Sequence, residues 1–420
     1  MSNLNVLVVG ASIAGPATAY WLAKAGADVT IIERFPELRT NGQGIDIRTA
    51  GVTVMRKMPG MEPAVRAKTT QMEGMSFVRE DGRPYGVIKP TGNPDQQSLI
   101  SEYEVFRGDL AQILYDLTKE NENIRYVFGE QVTSMKHSEK EDGPITVEFT
   151  NILPTSEYDL VVACDGATSR TRAMGLGCGA RDYVLPTNFW AVYFSVPDML
   201  KGSTVAVGHS AVGGRSVCLG PDPAGVTRAT LFRIYPSSEK DATLPFREAT
   251  KRGDDALKDY VAQQFRGIGW KAEEILDYMM EADDWYASEV VQVKCPNVYN
   301  GRFAMVGDAG YATGPTGGGT SVALAGAYLL AGELCKHKGN IKAGLEGYET
   351  QIRPIITELQ KIPPFVGAFM APQTAWGLWL RNHLFAFITW SGVVDVMQKF
   401  FAGSFAHTDQ YKMPEYEWVR

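Results

Sequence analysis

Hydrophobic positions along the chain fall into three patterns. The first is the short continuous run. Leu4 to Val9 (LNVLVV) is apolar without alternation, as expected of a strand buried on both faces. A turn, Gly10 to Gly15, follows. A helical pattern then runs from about Ala14 to Ala25, with Pro16 in its first turn, where the missing N–H costs nothing, and Gly26 as its stop. A second strand, Asp28 to Ile32, ends at Glu33 and completes a βαβ opening. Tyr158 to Cys164 and Arg302 to Val306 are further buried runs, each leading into an Asp/Gly pair. A helix of small and apolar residues is expected over Val322 to Lys336.

The second pattern is alternation. Phe189 to Val196, Thr204 to Val207, Arg215 to Leu219 and Thr227 to Tyr235 read as strands separated by turn residues, so an antiparallel sheet roofing a pocket is expected. On the first of these, Phe189, Ala191, Tyr193 and Ser195 share one face and Trp190, Val192 and Phe194 the other. Both faces are largely apolar, so parity does not say which one meets a ligand. On the last strand Arg228, Thr230, Phe232 and Ile234 alternate with Ala229, Leu231 and Arg233.

The third pattern is an apolar C-terminal region. Gly339 to Lys361 reads as a polar-faced helix stopped by Pro363 and Pro364. Ile362 to Leu380 then carries no charge, but it contains Pro363, Pro364, Pro372, Gln373 and Thr374. Arg381, Asn382 and His383 separate it from a second apolar run, Leu384 to Val394. Helices buried against a core are expected rather than a membrane span. Core packing is likewise expected for Met370, Trp376, Trp379, Phe385, Phe387 and Trp390, with a lipophilic substrate mouth as the second reading. Ala406 to Arg420 reads as a polar surface arm.

Composition narrows the class. At 45% hydrophobic and 21% charged residues the 420-residue chain is globular. A formal net charge of −7 without a basic stripe argues against a nucleic-acid partner. Five scattered cysteines with no CxxC pair point to neither a disulfide framework nor a metal site, and to a reducing, cytoplasmic setting. The N-terminus has no basic region or cleavage site of a signal peptide. The 43 glycines, about a tenth of the chain against an average of ~7%, are the informative excess, because glycine marks tight turns and backbone pressed against a ligand.

Those glycines cluster where the buried runs end. Gly10-Ala11-Ser12-Ile13-Ala14-Gly15 is a GxGxxG-like turn with serine at the middle position, and Glu33 stands roughly 18 residues beyond it. Such a turn holds a pyrophosphate on backbone N–H groups, and the acid accepts from the adenosine ribose. The acid favours a free 2′-hydroxyl, so FAD and NAD both remain open on these residues. Asp165-Gly166 precedes Ser169 and Arg172 at helix-start positions. Gly307-Asp308 opens a dense glycine loop, Gly310, Gly314, Pro315, Gly317, Gly318 and Gly319. A carboxylate there can accept a ribityl hydroxyl, and a glycine-rich helix start can press N–H groups on a planar ring.

Together the three segments resemble the class A flavoprotein monooxygenases, the para-hydroxybenzoate hydroxylase family, over nearly the whole chain: its GxGxxG, DG (Asp165) and GD (Asp308) motifs. Arg39 to Ile47 resembles the segment after the ribose acid in the tetracycline-inactivating and secondary-metabolite branch, and Phe106 to Leu110 its Arg-x-x-Leu element. The resemblance implies an α/β fold: a Rossmann-like FAD-binding domain of the GR2 type, an antiparallel-sheet substrate domain and C-terminal helices. The expected boundaries are 1–182 and 295–361 for the two parts of the FAD domain, 183–294 for the substrate domain and 362–420 for the helices and tail. It implies that Gly10, Ser12 and Gly15 hold the pyrophosphate and Glu33 the ribose. Arg34 lies by the adenine, Gly44 and Asp46 pass near the flavin, Arg107 meets its ribityl or phosphate region, Asp308 binds the ribityl chain, and Pro315, Gly317 and Gly319 run along the isoalloxazine. Arg39 matches a position for nicotinamide-cofactor contact.

By the same resemblance the cofactor is non-covalent FAD, reduced by transiently bound NAD(P)H. O₂ then forms a flavin C4a-hydroperoxide that passes one oxygen to an aromatic, polyketide or terpenoid-type small molecule. A flavin reductase or dehydrogenase on the same scaffold is the alternative; a halogenase would need a WxWxIP segment that this chain lacks. Tyr311 stands where the family often has histidine and Ser321 where it often has asparagine, both expected near the flavin ring. Tyr193 and Phe232 are the candidate pocket residues, no side chain is assigned as catalytic, and no metal is expected. His209, among glycines and serines, reads as a surface-turn residue, with acid–base work as the other reading. A monomer or homodimer is expected.

Overall fold

The computed structural model describes residues 4–39, 42–90, 102–140, 143–362, 366–392 and 412–419. Its first sheet is built on the continuous apolar runs. β1 (Asn5–Val9) lies between β2 (Asp28–Glu33) and β10 (Leu160–Ala163). β6 (Ile124–Phe128) extends the sheet beyond β2, and β17 (Phe303–Met305) extends it beyond β10. These five strands are parallel, and β16 (Tyr299–Asn300) closes the β17 edge antiparallel. Val6 and Val8 of β1 pack on α1 (Ala14–Lys24), α10 (Gly319–Lys336) and α11 (Ile341–Leu359). Leu7 and Val9 pack on the other side with Ile145 and Val147 of β8 (Ile145–Phe149). β8 pairs with β7 (Val132–His137) and β9 (Ser156–Tyr158) in a three-stranded sheet. Burial on both faces is why these strands read as unbroken apolar runs.

The second sheet runs, in spatial order, β15 (Tyr286–Val293), β11 (Val184–Val196), β14 (Thr227–Ile234), β13 (Arg215–Pro221), β12 (Val205–Ala211) and β4 (Gly74–Phe77). β15 through β12 are antiparallel, and β4 pairs parallel to β12. The roof therefore recruits a strand from within 1–182, so the chain crosses between the two layers before the boundary expected at 182. Three helices that the alternation did not announce, α6 (Leu244–Lys251), α7 (Asp254–Phe265) and α8 (Ala272–Glu281), cover one face of this sheet. Trp190, Val192, Phe194, Val217 and Leu231 are buried beneath them. Parity is thereby decided: Phe189, Ala191, Tyr193 and Ser195 face away from the helices.

The remaining elements tie the layers together. β3 (Gly44–Asp46) and β5 (Glu104–Phe106) form a two-stranded ribbon ahead of α4 (Arg107–Asp116). α2 (Ala50–Arg56) and α3 (Met61–Arg66) follow β3, α5 (Arg170–Leu176) follows β10, and the single turn α9 (Asp308–Tyr311) follows β17.

Two C-terminal expectations are corrected. α12 (Val366–Met370) and α13 (Ala375–Trp390) are not buried helices. Arg381, Asn382 and Phe385 are buried, whereas Met370, Trp376, Trp379, Leu384, Phe387 and Trp390 are exposed, Trp390 to 82%. A helix that is apolar all round needs cover on every side to be buried, and the sheet offers it one side. The last residues are not a free polar arm either: Met413 is buried, Trp418 packs on Trp21 with ring centroids 4.9 Å apart, and Tyr416 donates to Glu333 at 2.8 Å. Ala406 to 411, part of that expected arm, lie outside the described residues. No described helix is long and apolar enough to cross a membrane.

Trp190, fully buried and stacked on Phe246 at 5.0 Å, anchors the helix-covered face of the roof. Trp190→Ala is expected to cost ~3–5 kcal/mol in urea unfolding; a loss below about 1 kcal/mol would mean that this face is not a packed core.

Candidate functional site

Gly10, Asp165 and Asp308 lie at or just beyond the C-terminal ends of adjacent parallel strands, the place where open α/β sheets take ligands. Gly10 adopts φ +109°, and a Cβ on it would lie 2.7 Å from the Cys164 carbonyl oxygen. A Cβ on Gly15 would lie 1.8 Å from the Gly10 carbonyl oxygen. Both positions therefore exclude side chains, and α1 begins directly against the turn. Its N-cap, Ile13, has no side-chain cap, so the first N–H groups of the helix are left to a ligand. Half-buried Ser12 sits in this turn. Glu33, at the end of β2, accepts from the Ala11 N–H at 3.0 Å and the Phe35 N–H at 3.2 Å, which orients its carboxylate and leaves lone pairs over. Arg34 is exposed and lies over the Phe35 ring.

Asp165 is engaged within the protein. Its carboxylate accepts from Ser169 Oγ at 2.5 Å and from Thr171 Oγ1 at 2.9 Å, and it is raised above the usual carboxylate range by burial, partly offset by these bonds. It braces the start of α5, and its backbone forms the wall against Gly10. Arg172 is a residue whose role the sequence did not reveal. It is fully buried and donates to the carbonyls of Ala167 (3.0 Å), Ala309 (2.7 Å) and Ala180 (2.7 Å), so one side chain stitches the Asp165 segment to the Asp308 segment. Its placement as a helix-start residue gave no hint of this bridge.

Asp308 opens to the cleft, although the surrounding chain encloses it deeply. That enclosure raises its carboxyl, and the positive charge of Arg107 draws it part of the way back. A Cβ on Gly319 would come within 3.6 Å of Asp308 Oδ1, so the start of α10 and this carboxylate are neighbours. The N-cap of α10, Gly318, has no side-chain cap. Gly314 and Gly317 have φ +74° and +75°, and Pro315 lies half-buried between them. The loop is pinned by two glutamines that sequence patterning could not single out. Gln292 Nε2 donates to the Thr313 and Gln360 carbonyls, and Gln360 Nε2 to those of Val293 and Ala312.

The ribbon closes the other side. Gly42, at φ +147°, packs on the stem of Arg107, where a Cβ would lie 3.0 Å from its Cβ. Gly44 pairs with Phe106, and Asp46 pairs with Glu104 and binds Arg48 at 2.9 Å. Asp46 Oδ2 would be 3.8 Å from a Cβ on Gly317, so Asp46 reaches the glycine loop. Arg39 and Arg107 both lie over Tyr286, at 5.5 and 6.0 Å from the ring centroid, and Arg39 also covers Phe35. Burial, then Arg107, lowers the Arg39 pKa.

The roof contributes its uncovered face. Tyr193 stacks on Tyr286 at 6.0 Å, and Phe232 meets Phe189 at 5.6 Å on the same face. One rung of pairings runs Tyr286, Tyr193, Thr230, Cys218, Gly208, Phe77 across all six strands. Its side chains are half-buried, whereas the next residues beneath the helices are buried.

Three expectations change. His209 is neither a surface-turn residue nor an acid–base group of the cleft: it is buried on β12 beside Trp270, with its ring nitrogens 3.3 and 3.1 Å from the Val78 and Ile268 carbonyls. Tyr311 turns into the core, sharing a 2.9 Å hydrogen bond with Tyr348. Ser321 accepts the Arg48 N–H at 2.8 Å and so joins α10 to the ribbon. A small residue in the first turn of α10 is what lets Gly51 pack there.

Glu104 reports on the ribbon's burial. Desolvation, then the charge of Asp46, pushes its carboxyl from 4.5 up to about 7. The folded protein therefore holds a proton that the unfolded chain has lost, and stability falls as pH rises from about 4.5 through about 7. Glu104→Gln should leave stability unchanged near pH 4.5 and raise it by ~1–2 kcal/mol at pH 8. Equal effects at both pH values would contradict this.

Sequence and structure comparisons agree with the geometry. The family model for the FAD binding domain matches residues 3–361. The FAD-dependent monooxygenase asL4 of Sarocladium schorii is 32% identical over 412 residues, 92% of this chain and 93% of that one. Monooxygenase CTB7 of Cercospora beticola is 31% identical over 428 residues, 99% of this chain and 98% of that one. The crystal structure of the tetracycline destructase Tet(51) superposes with a TM-score of 0.78 at 26% identity, covering 99% of this chain and 100% of that one. The turn that excludes side chains at Gly10 and Gly15, the two uncapped helix starts and the cleft-facing Asp308 fit the pyrophosphate, ribityl chain and ring of FAD, and the chain belongs to the family of FAD-dependent monooxygenases.

Proposed function

We propose that the protein uses NAD(P)H and O₂ to insert one oxygen atom into a planar aromatic or polyketide-type small molecule held between the glycine loop and the roof. The observation that carries this reading is the uncovered rung of the roof, which presents Tyr193 and Tyr286 on the same side as Arg107 and the glycine loop. Half-buried aromatic side chains offer flat apolar area to a flat substrate, while Thr230 adds a polar point. The similarity to monooxygenases such as asL4 supports the reaction class.

In this reading Gly10, Ser12 and Gly15 bind the pyrophosphate, Glu33 the adenosine ribose and Asp308 the ribityl chain. Asp165 shapes the turn through its backbone. Asp46, Pro315, Gly317 and Gly319 border the ring, and Arg107 contacts the ribityl or phosphate region. FAD, once bound, supplies electron transfer and oxygen activation. The chain orients the substrate on Tyr193 with Phe232 behind it, and keeps water from the reacting face. Arg39, stacked between Phe35 and Tyr286, is the contact for transient NAD(P)H.

Asp308→Ala should fold, by circular dichroism, yet hold at least tenfold less flavin, about 1.4 kcal/mol or more for a lost charged hydrogen bond. Full flavin absorbance in the purified variant would remove Asp308 from the site. With ¹⁸O₂, substrate-stimulated NAD(P)H consumption should yield singly labelled product. Turnover without label would make the protein a reductase.

A further inference from the structure

Two arginines in the described chain are almost wholly buried, and they differ in how far their donors are met. The two Nη atoms of Arg172 donate to three carbonyl oxygens, and only its Nε lacks a partner. Arg381, on α13, is 5% exposed, and its Nε and Nη1 have no hydrogen-bond partner. Its guanidinium carbon lies 3.7 Å from the centroid of the Phe77 ring, so its cover is an aromatic face. Burial lowers its pKa to about 10, which leaves it charged at neutral pH. A cation–π contact offsets only part of what burying a cation with unmet donors costs.

The place of Arg381 gives that charge a use. Phe77 and Cys218, its neighbours, belong to the same rung as Tyr193. Counting strand spacings of ~4.8 Å, Cys218 lies about 10 Å and Phe77 about 19 Å from Tyr193 along the roof of the cleft. The start of α13 is fixed to the roof: Gln373 donates to the Ile234 carbonyl at 2.9 Å, and its own carbonyl accepts the Gly213 N–H at 3.1 Å. Phe385 packs on Phe77 at 5.0 Å from the next turn of the helix. The guanidinium is therefore held at one end of the rung, and Arg39 and Arg107 stand at the other.

We propose that Arg381 is a substrate-binding residue that takes an anionic oxygen of a fused-ring substrate lying along the rung from Tyr193 towards Phe77. The anion meets the guanidinium at Nη2, the nitrogen that is not closed off within the fold, and the apolar body of the molecule covers Thr230 and Cys218. The inference rests on the monooxygenase reading of the cleft and adds the chemical character of the substrate: planar, and acidic at the end remote from Tyr286. Charge-assisted hydrogen bonds in a desolvated setting discriminate strongly against a neutral isostere.

The test is equilibrium dialysis of the FAD-loaded protein with anthraquinone-2-carboxylate and, separately, anthraquinone-2-carboxamide. The wild type should bind the carboxylate at least ~10-fold more tightly, and Arg381→Gln should abolish that preference without changing flavin content. Arg381→Lys should keep part of it, and serves if the glutamine variant does not fold. Equal binding of the two probes by the wild type, binding of neither, or a preference that survives in Arg381→Gln overturns the proposal. A protein that purifies without flavin and cannot be loaded would overturn the monooxygenase reading itself, whereas a loaded protein blind to the carboxylate overturns only the role of Arg381.

Discussion

Backbone touches backbone where Gly10 passes the Cys164 carbonyl, and the remaining architecture of the site depends on that contact. Because neither Gly10 nor Gly15 has a side chain, α1 starts against the end of β1 and β1 lies directly beside β10. β17 then adds to β10, which brings Asp308 alongside the same cleft. Gly307 continues the pattern, since a Cβ on it would lie 3.0 Å from that of Ala14. Two helix starts beside this contact have no side-chain caps, which leaves their first N–H groups open to a ligand. The buried Arg172 then holds the two later segments in register without contributing a ligand contact of its own.

The other half of the molecule is organised by an asymmetry between the two faces of one sheet. Helices α6 to α8 seal the Trp190 face, so the Tyr193 face is left to the cleft. α13 meets the β4 edge of that face through Phe385 and Arg381, and Arg228 meets the ribbon over Phe106. The two halves thus differ in chemistry: the first sheet presents backbone donors and carboxylates, and the second presents aromatic area, with Arg228 of β14 at one end and Arg381 of α13 at the other.

Features that depend on backbone were legible in the sequence. Gly10, Gly15, Glu33, Asp308 and the glycine loop announce themselves, because a phosphate-binding turn tolerates few residues at few positions. Features that depend on which surface covers which were not. Both faces of β11 are apolar, so the sequence assigns Tyr193 to a face, and only the packing of α6 to α8 on the other face leaves it uncovered. Arg381 looked like an interruption between apolar runs. Its meaning lies in the ring of Phe77, far away in sequence. The partners of His209, Tyr311 and Ser321 are hidden for the same reason: a polar residue near a motif takes its role from what it meets, here Ile268, Tyr348 and Arg48 in turn.

The most direct measurement is calorimetric titration of the apoprotein with FAD and with FMN. In the proposed reading the turn at Gly10 to Gly15 takes the pyrophosphate and Glu33 the adenosine ribose, and FMN lacks the adenosine monophosphate part of FAD. One equivalent of FAD should therefore bind at least ~100-fold more tightly than FMN, a difference of about 2.7 kcal/mol. Equal affinity for the two, or no binding of FAD, would contradict the account.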